Sequence, residues 1–256
     1  MASGNVQDPI ASALHGLNMQ GLSSLVALTW AGFAPVETTS KPAKLICSDG
    51  HAYWVKSSVQ DGLIAELVAG RIAAYLNAGP DANVIIVDEA LGAYLTPPDS
   101  GYMVGIRDVS DAVNARDVHT LGVPHLLGMI DGASMARVIA FQTWLGILDN
   151  QLMILPDGTV VSIDHGACFD ERSMLNPMMV RFVPGVYFGV AKKREYLEPV
   201  IRQIEAFTID NLITAVSRVP EDVRWNSSPD RCVKIIRFLE ARKTQVRAVL
   251  EGWLSA

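Results

Sequence analysis

The run Val160-Val161-Ser162-Ile163-Asp164-His165-Gly166 constrains this chain more than any other. Val160, Val161 and Ile163 are apolar and β-branched, which favours a strand. Asp164 ends that strand, and His165-Gly166 breaks it. Just upstream, Leu152-Met153-Ile154-Leu155 reads as a partner strand, with the turn residues Pro156-Asp157-Gly158 between the two. The hairpin therefore delivers one carboxylate to the mouth of a strand, with a glycine close behind it. Such a corner is a common way to hold a hard cation such as Mg2+. The same residues taken alone also describe an ordinary hairpin ending in an Asp-stabilised turn.

The rest of the chain supplies a setting for that corner. Asp8 to Leu17 reads as a short helix, with Asp8 as N-cap and Pro9 at the first helical position. Leu25 to Trp30 reads as a strand. Lys44 to Cys47 and Ala52 to Lys56 form a hairpin about Asp49-Gly50. Gly62 to Leu76 has helical spacing, with Leu63, Leu67, Ile72 and Leu76 on a shared face, and Asn77-Ala78-Gly79-Pro80 stops it. Val84 to Val87 is a buried-strand run, and Gly92 to Leu95 reads as another strand or the approach to a connector. Pro97-Pro98-Asp99-Ser100-Gly101 is the clearest internal punctuation, and it divides the chain into residues 1–98 and 99–256. Beyond it, Gly132 to Leu148 is apolar nearly all round, the pattern of a central buried helix. Helical segments follow over Leu197–Phe207, Thr208–Val219 and Pro229–Leu254. Strands with one helix, then helices around a small hairpin, make an α+β, two-lobed plan.

Three residues within this order carry chemistry. Lys56 ends a strand, Glu66 follows on the next helix, and Asp164 comes about a hundred residues later. Phosphoryl-transfer sites use those residue types in that order. A strand-borne ammonium holds nucleotide phosphates, a helix carboxylate orients the ammonium, and an aspartate-bound cation neutralises charge as the phosphoryl group moves. Taken alone, Lys56 reads better as a strand-end lysine in water and Glu66 as a helix-surface glutamate. Their order is what points to a site.

On these residues the chain resembles the HipA-like kinases, relatives of the phosphatidylinositol-kinase-like group. The resemblance runs from about Val36 to Trp253. It rests on Thr38-Thr39-Ser40-Lys41-Pro42, Tyr53-Trp54-Val55-Lys56-Ser57, Ala65-Glu66-Leu67-Val68-Ala69, Thr143-Trp144-Leu145-Gly146-Ile147-Leu148-Asp149 and Ile163-Asp164-His165-Gly166. Val219-Pro220-Glu221-Asp222 and Arg237 to Arg242 also look like the family's tail. The resemblance implies a kinase-like fold with a β-rich N-lobe and a helical C-lobe. It implies ATP and Mg2+ as cofactors, and a protein hydroxyl as acceptor. Thr39 and Ser40 would lie in the phosphate-covering loop, Lys56 would contact the phosphates, and Glu66 would orient it. Backbone at Gly92–Leu95 and Tyr102–Val104 would flank the adenine. Asp149 would be the catalytic aspartate, and Asp164 and Asn150 the metal ligands.

One departure bears on activity. Family members place several residues between the catalytic aspartate and the metal-binding asparagine. Here Asp149 is followed at once by Asn150-Gln151 and then by a strand. Successive side chains diverge, so adjacent residues do not readily take both roles. Two readings stay open: an ATP-dependent phosphotransferase with weak or no turnover, or a pseudokinase that binds nucleotide or a protein partner. A structural or interaction protein with an accidental Asp164 hairpin is a third.

Composition narrows the partners. The net charge of −6 speaks against a general nucleic-acid binder, and no Lys/Arg block stands out beyond Lys192-Lys193-Arg194. The three cysteines form no CxxC pair, which fits a reducing cytoplasmic setting. The apolar segment Leu22 to Pro35 is too short for a membrane span, and the N-terminus lacks the basic start of a signal peptide. His165 carries no assigned role; its ordinary reading is a turn histidine with a satisfied ring.

Overall fold

The computed structural model describes residues 8–33, 42–56, 62–109, 111–114, 128–147, 151–169, 174 and 188–256. Thr39, Ser40, Asp149 and Asn150 lie outside the described residues.

The chain is mixed α+β. Helix α1 (Pro9–Asn18) starts as its sequence predicts, with the Asp8 carboxylate accepting from the Ile10 N–H at 3.0 Å. Five strands then close into a barrel: β1 (Ser24–Phe33), β2 (Ala43–Cys47), β3 (Ala52–Lys56), β4 (Ala82–Val87) and β5 (Gly101–Arg107). Neighbours around it run β1-β2-β3-β5-β4, and β4 returns to β1 in parallel. Helix α2 (Leu63–Tyr75) sits between β3 and β4 in sequence, and the short helix α3 (Glu89–Gly92) between β4 and β5. Asp88 caps α3 by accepting from the Leu91 N–H at 2.8 Å. Gly92, expected to open a strand or connector, instead ends this turn of helix. β5 lies beyond the punctuation at Pro97–Gly101, yet it pairs with β3 and β4 along its length.

Two cores follow from strand alternation. Leu45, Tyr53, Val55, Ile85, Val87 and Met103 fill the barrel. The next residues along, Val84 and Val104, face the other way and join α2 in the second core. β4 is thus buried on both faces, which is why Val84–Val87 is a continuous apolar run. Helix α2 is in turn covered nearly all round; only Arg71, Ala74 and Tyr75 escape burial.

The second core is mainly helical. A minor sheet of β6 (Val113–Asn114), β7 (Leu152–Ile154) and β8 (Val160–Ser162) packs against α4 (Gly132–Leu145). Asp131 caps α4, accepting from the Ser134 and Ala133 N–H groups at 2.8 and 3.3 Å. The helix ends three residues earlier than its apolar pattern predicts. Gly146 adopts a left-handed conformation (φ 76) that only glycine takes at little cost. The buried Arg242 guanidinium then donates to the Trp144 and Thr143 carbonyls at 2.7 and 2.9 Å. Helices α5 (Arg194–Glu205), α6 (Ile209–Val216) and α7 (Pro229–Ser255) complete this core. Arg71 of α2 donates to the Ala215 and Ser217 carbonyls at the end of α6, at 2.9 and 2.7 Å. Among the described residues no helix is long and apolar enough to cross a membrane.

Candidate functional site

Strand periodicity aims the lysine. Along β3, Tyr53 and Val55 point into the barrel, so Ala52, Trp54 and Lys56 take the outer face. Lys56 closes the strand opposite Val104, beside the N-terminal turn of α2. Glu66 projects from that turn and is 3% exposed. Its Oε2 lies 3.8 Å from the Lys56 ammonium.

The third element comes from the hairpin. The Ile163 N–H donates to the Gln151 carbonyl at 3.1 Å, one rung beyond the Leu152↔Ser162 pair. Asp164 then leaves the ladder in a left-handed conformation (φ 62), unusual for a residue with a Cβ. Its Oδ1 accepts from Lys56 at 2.6 Å, and its Oδ2 accepts from the Gln151 amide at 2.9 Å. Lys56, Glu66 and Asp164, from three separate elements, therefore meet at one ammonium. Gly166 borders the same carboxylate, since a Cβ there would lie in ordinary contact with Glu66 Oε2 at 3.4 Å.

The electrostatics are mutual. Burial pulls the Lys56 ammonium down, but the Glu66 and Asp164 carboxylates outweigh it and hold it above its ordinary value. Burial pushes the Asp164 carboxyl up, but the Lys56 charge and hydrogen bond, with the Gln151 amide, hold it below the usual carboxylate range. Burial also drives His165 below its ordinary value, against the pull of Glu66. With His165 neutral, one cation sits between two carboxylates. A polyphosphate entering such a site needs a further cation beside Asp164.

Oxygen ligands for that cation are at hand. Asp164 stays ionised, its side chain is 39% exposed, and an amide side chain adjoins it. Mg2+ favours one or two carboxylates completed by neutral oxygens and phosphates, so this donor set fits it. Among the described residues no group of three or more His, Cys, Asp or Glu side chains converges as a metal shell.

The structure brings Lys56, Glu66 and Asp164 into one neighbourhood, and it adds the contact of Gln151 with Asp164 and the packing behind Asp164. Folding the hairpin about Asp157 sets residue 151 opposite 163, so register alone would have found Gln151. His165 is not the satisfied turn histidine expected. Its Nε2 lies 3.1 Å from Ser162 Oγ, which also accepts from the Gln142 amide at 3.0 Å, but its Nδ1 is buried with no hydrogen-bond partner among the described residues.

No protein-family model matches the chain, and no curated protein does. Solved structures do. The crystal structure of a Helicobacter pylori proinflammatory kinase, CtkA, superposes with a TM-score of 0.58 at 13% identity, covering 90% of this chain and 98% of that one. The fold is kinase-like. The FAT and kinase domain of CtTel1 is similar at a TM-score of 0.45 and 15% identity, over 88% of this chain and 22% of that one. The Golgi casein kinase is similar at 0.37 and 10%, over 92% of this chain and 75% of that one. The argument for the kinase-like fold rests on the first of these, and at such identities it concerns fold alone.

Proposed function

We propose that this chain is a HipA-like, two-lobed phosphotransferase that binds ATP with Mg2+ and transfers its terminal phosphoryl group to a protein hydroxyl slowly or not at all. One observation carries the reading: the Lys56 ammonium lies 2.6 Å from Asp164 Oδ1 and 3.8 Å from Glu66 Oε2. The barrel, the buried helix and the hairpin have no structural need to bring these charges together. A nucleotide phosphate site does.

In this reading Lys56 holds the phosphates and Glu66 keeps the ammonium aimed. Asp164 and an amide neighbour, Gln151 or Asn150, hold the metal. A bound Mg2+ supplies charge neutralisation to the phosphates and to the transferring group. Thr39 and Ser40 cover the phosphates, and Asp149 faces the acceptor hydroxyl. In this reading the N-lobe also takes in β5, which pairs with β3 and β4 in the barrel.

The pseudokinase reading is favoured by a separate observation. Gly146 ends α4, and Gln151 is already paired to Ile163 and touching Asp164. Residues 147–150 therefore make the whole connection, and a base and a separate metal ligand have little room in it.

Calorimetry of ATP binding with and without Mg2+, followed by an autophosphorylation assay, tests the proposal. Mg2+-dependent ATP binding that weakens at least tenfold in Lys56→Ala is expected. No binding, or binding indifferent to both metal and Lys56, would move the chain to a pure interaction protein.

A further inference from the structure

Behind the Lys56–Glu66 pair lies a buried polar chain whose hydrogens can be placed by elimination. Ser162, His165, Gln142 and Glu66 are each at most 3% exposed. Ser162 Oγ has two partners, Gln142 Nε2 at 3.0 Å and His165 Nε2 at 3.1 Å. The Gln142 amide nitrogen can only donate, so it fills one lone pair of the hydroxyl. Among the described residues the remaining hydrogen-bond partner of that hydroxyl is His165 Nε2, whose lone pair takes the hydroxyl hydrogen. Turning the Gln142 amide over would bury its two N–H donors instead, and orphaned buried donors are rarer than orphaned carbonyls. His165 Nε2 is therefore the acceptor, and the ring's proton sits on Nδ1.

That places an N–H inside the protein with nothing to receive it, because His165 Nδ1 has no hydrogen-bond partner among the described residues. The same region holds a complementary orphan. Glu66 Oε1 is buried and also has none among the described residues. The two residues are close neighbours through the backbone: a Cβ on Gly166, the residue after His165, would lie 3.4 Å from the other oxygen of Glu66. Buried polar atoms are almost always satisfied, by protein or by an internal water.

We infer that His165 is a positioning residue for Glu66, donating from Nδ1 through one buried water to Glu66 Oε1. Hydrogen bonding then runs in one direction, from the Gln142 amide to the Ser162 hydroxyl, to the His165 ring, to the Glu66 carboxylate, whose other oxygen faces Lys56. The Phe141 ring packs edge-on against His165, with centroids 5.2 Å apart, and holds the imidazole in place. His165 thus sets the orientation of Glu66 from behind while Asp164, one residue earlier, sets Lys56 from the front. The functional consequence rests on the nucleotide-site reading above; the tautomer does not.

Long-range proton–nitrogen correlation spectra of the full chain, labelled at histidine nitrogen, test the tautomer, with His165 assigned by its loss in His165→Asn. A neutral ring protonated on Nδ1 is expected, and protonation on Nε2 overturns the inference. Calorimetry with ATP and Mg2+ tests the consequence. His165→Phe should weaken affinity by roughly tenfold, whereas His165→Asn, which keeps an N–H near the Nδ1 position, should recover to within about threefold of wild type. In a Glu66→Gln background, His165→Phe should add less than about twofold. Equal losses in Asn and Phe, or fully additive losses with Glu66→Gln, overturn the positioning role. Should His165→Phe fail to fold, the tautomer and the His165→Asn affinity decide the matter. Should the wild type bind no ATP, the nucleotide reading fails; the tautomer, and non-additivity of the His165→Phe and Glu66→Gln effects on thermal unfolding, then decide this inference separately.

Discussion

Gly62 and Gly166 are in such close contact that a Cβ added to Gly62 would lie 2.8 Å from the Gly166 carbonyl oxygen. Gly62 is the N-cap of α2, and Gly166 ends the Asp164 turn. The helix bearing Glu66 and the corner bearing Asp164 therefore rest directly on each other.

Gly62→Ala should force those two elements apart. Real Cβ atoms do not approach backbone oxygen that closely, and neither partner is a flexible side chain. A loss of about 1–3 kcal/mol in urea unfolding is expected, as for overpacked cores. ATP affinity should fall with it, because Lys56 bridges the same two elements. Unchanged stability in this variant would show that the contact is looser than the structure has it.

Lys56→Met leaves Glu66, 3% exposed, without its cation. Removing one partner of a buried pair costs more than the pair contributes, since the remaining charge stays desolvated. Lys56 is partly open to solvent, so a destabilisation of about 1–3 kcal/mol is expected rather than the upper range for such losses. Adding Glu66→Gln should restore part of it. A double-mutant cycle on urea denaturation reads the coupling directly, and simple additivity would contradict the pairing.

The parts of this fold that were legible in the sequence are those set by local chemistry. The Ala52–Lys56 hairpin announced itself through Asp49-Gly50, and α4 through an apolar pattern with no polar face. Helix α3 was not legible, because four residues capped by Asp88 leave no period to read. The closing parallel pair of β1 and β4 was invisible, as it joins Ser24 to Val84 without a local signal. Pro97–Gly101, read as the division of the chain, lies between two barrel strands, β4 and β5. Its Asp99 is held by Arg224 at 2.8 Å, and Trp225 donates to the Tyr102 carbonyl at 3.2 Å. Within the site, Lys56, Glu66 and Asp164 were readable from residue type and order. The contact of Gln151 with Asp164 and that of His165 with Ser162 were not, because they depend on hairpin register and on side-chain packing.

Acid stability should report the α4 cap. Burial would raise the Asp131 carboxyl, but the Ser134 and Ala133 N–H groups hold it below its ordinary 3.8. A carboxyl depressed in the folded state stabilises above its unfolded value and loses that contribution as pH falls through the folded value. Asp131→Asn keeps a capping oxygen but cannot titrate. The two proteins should therefore unfold alike near pH 7, and the wild type should lose ground relative to Asp131→Asn only below about pH 4. Because Asp131 is exposed, the difference should stay under about 1 kcal/mol. Thermal unfolding across pH 2–7 checks it, and a gap opening near neutrality would contradict the assignment.

The short connection between α4 and β7 separates binding from turnover. Asp164 is held by Lys56 and Gln151, so the metal-binding part proposed for it does not rest on residues 148–150. Asp164→Ala should abolish the Mg2+ dependence of ATP binding. Asp149→Ala should leave that binding within about threefold of wild type, because a base near the acceptor hydroxyl contributes to transfer rather than to ground-state affinity. Any transfer by the wild type should fall well below the roughly 1–100 s⁻¹ of typical kinases, and Asp149→Ala should remove what there is. Radiolabelled phosphate incorporation alongside calorimetry distinguishes these effects. Robust wild-type turnover would show that four residues suffice to pose both base and ligand. Loss of ATP binding in Asp149→Ala would instead place Asp149 in the metal shell beside Asp164.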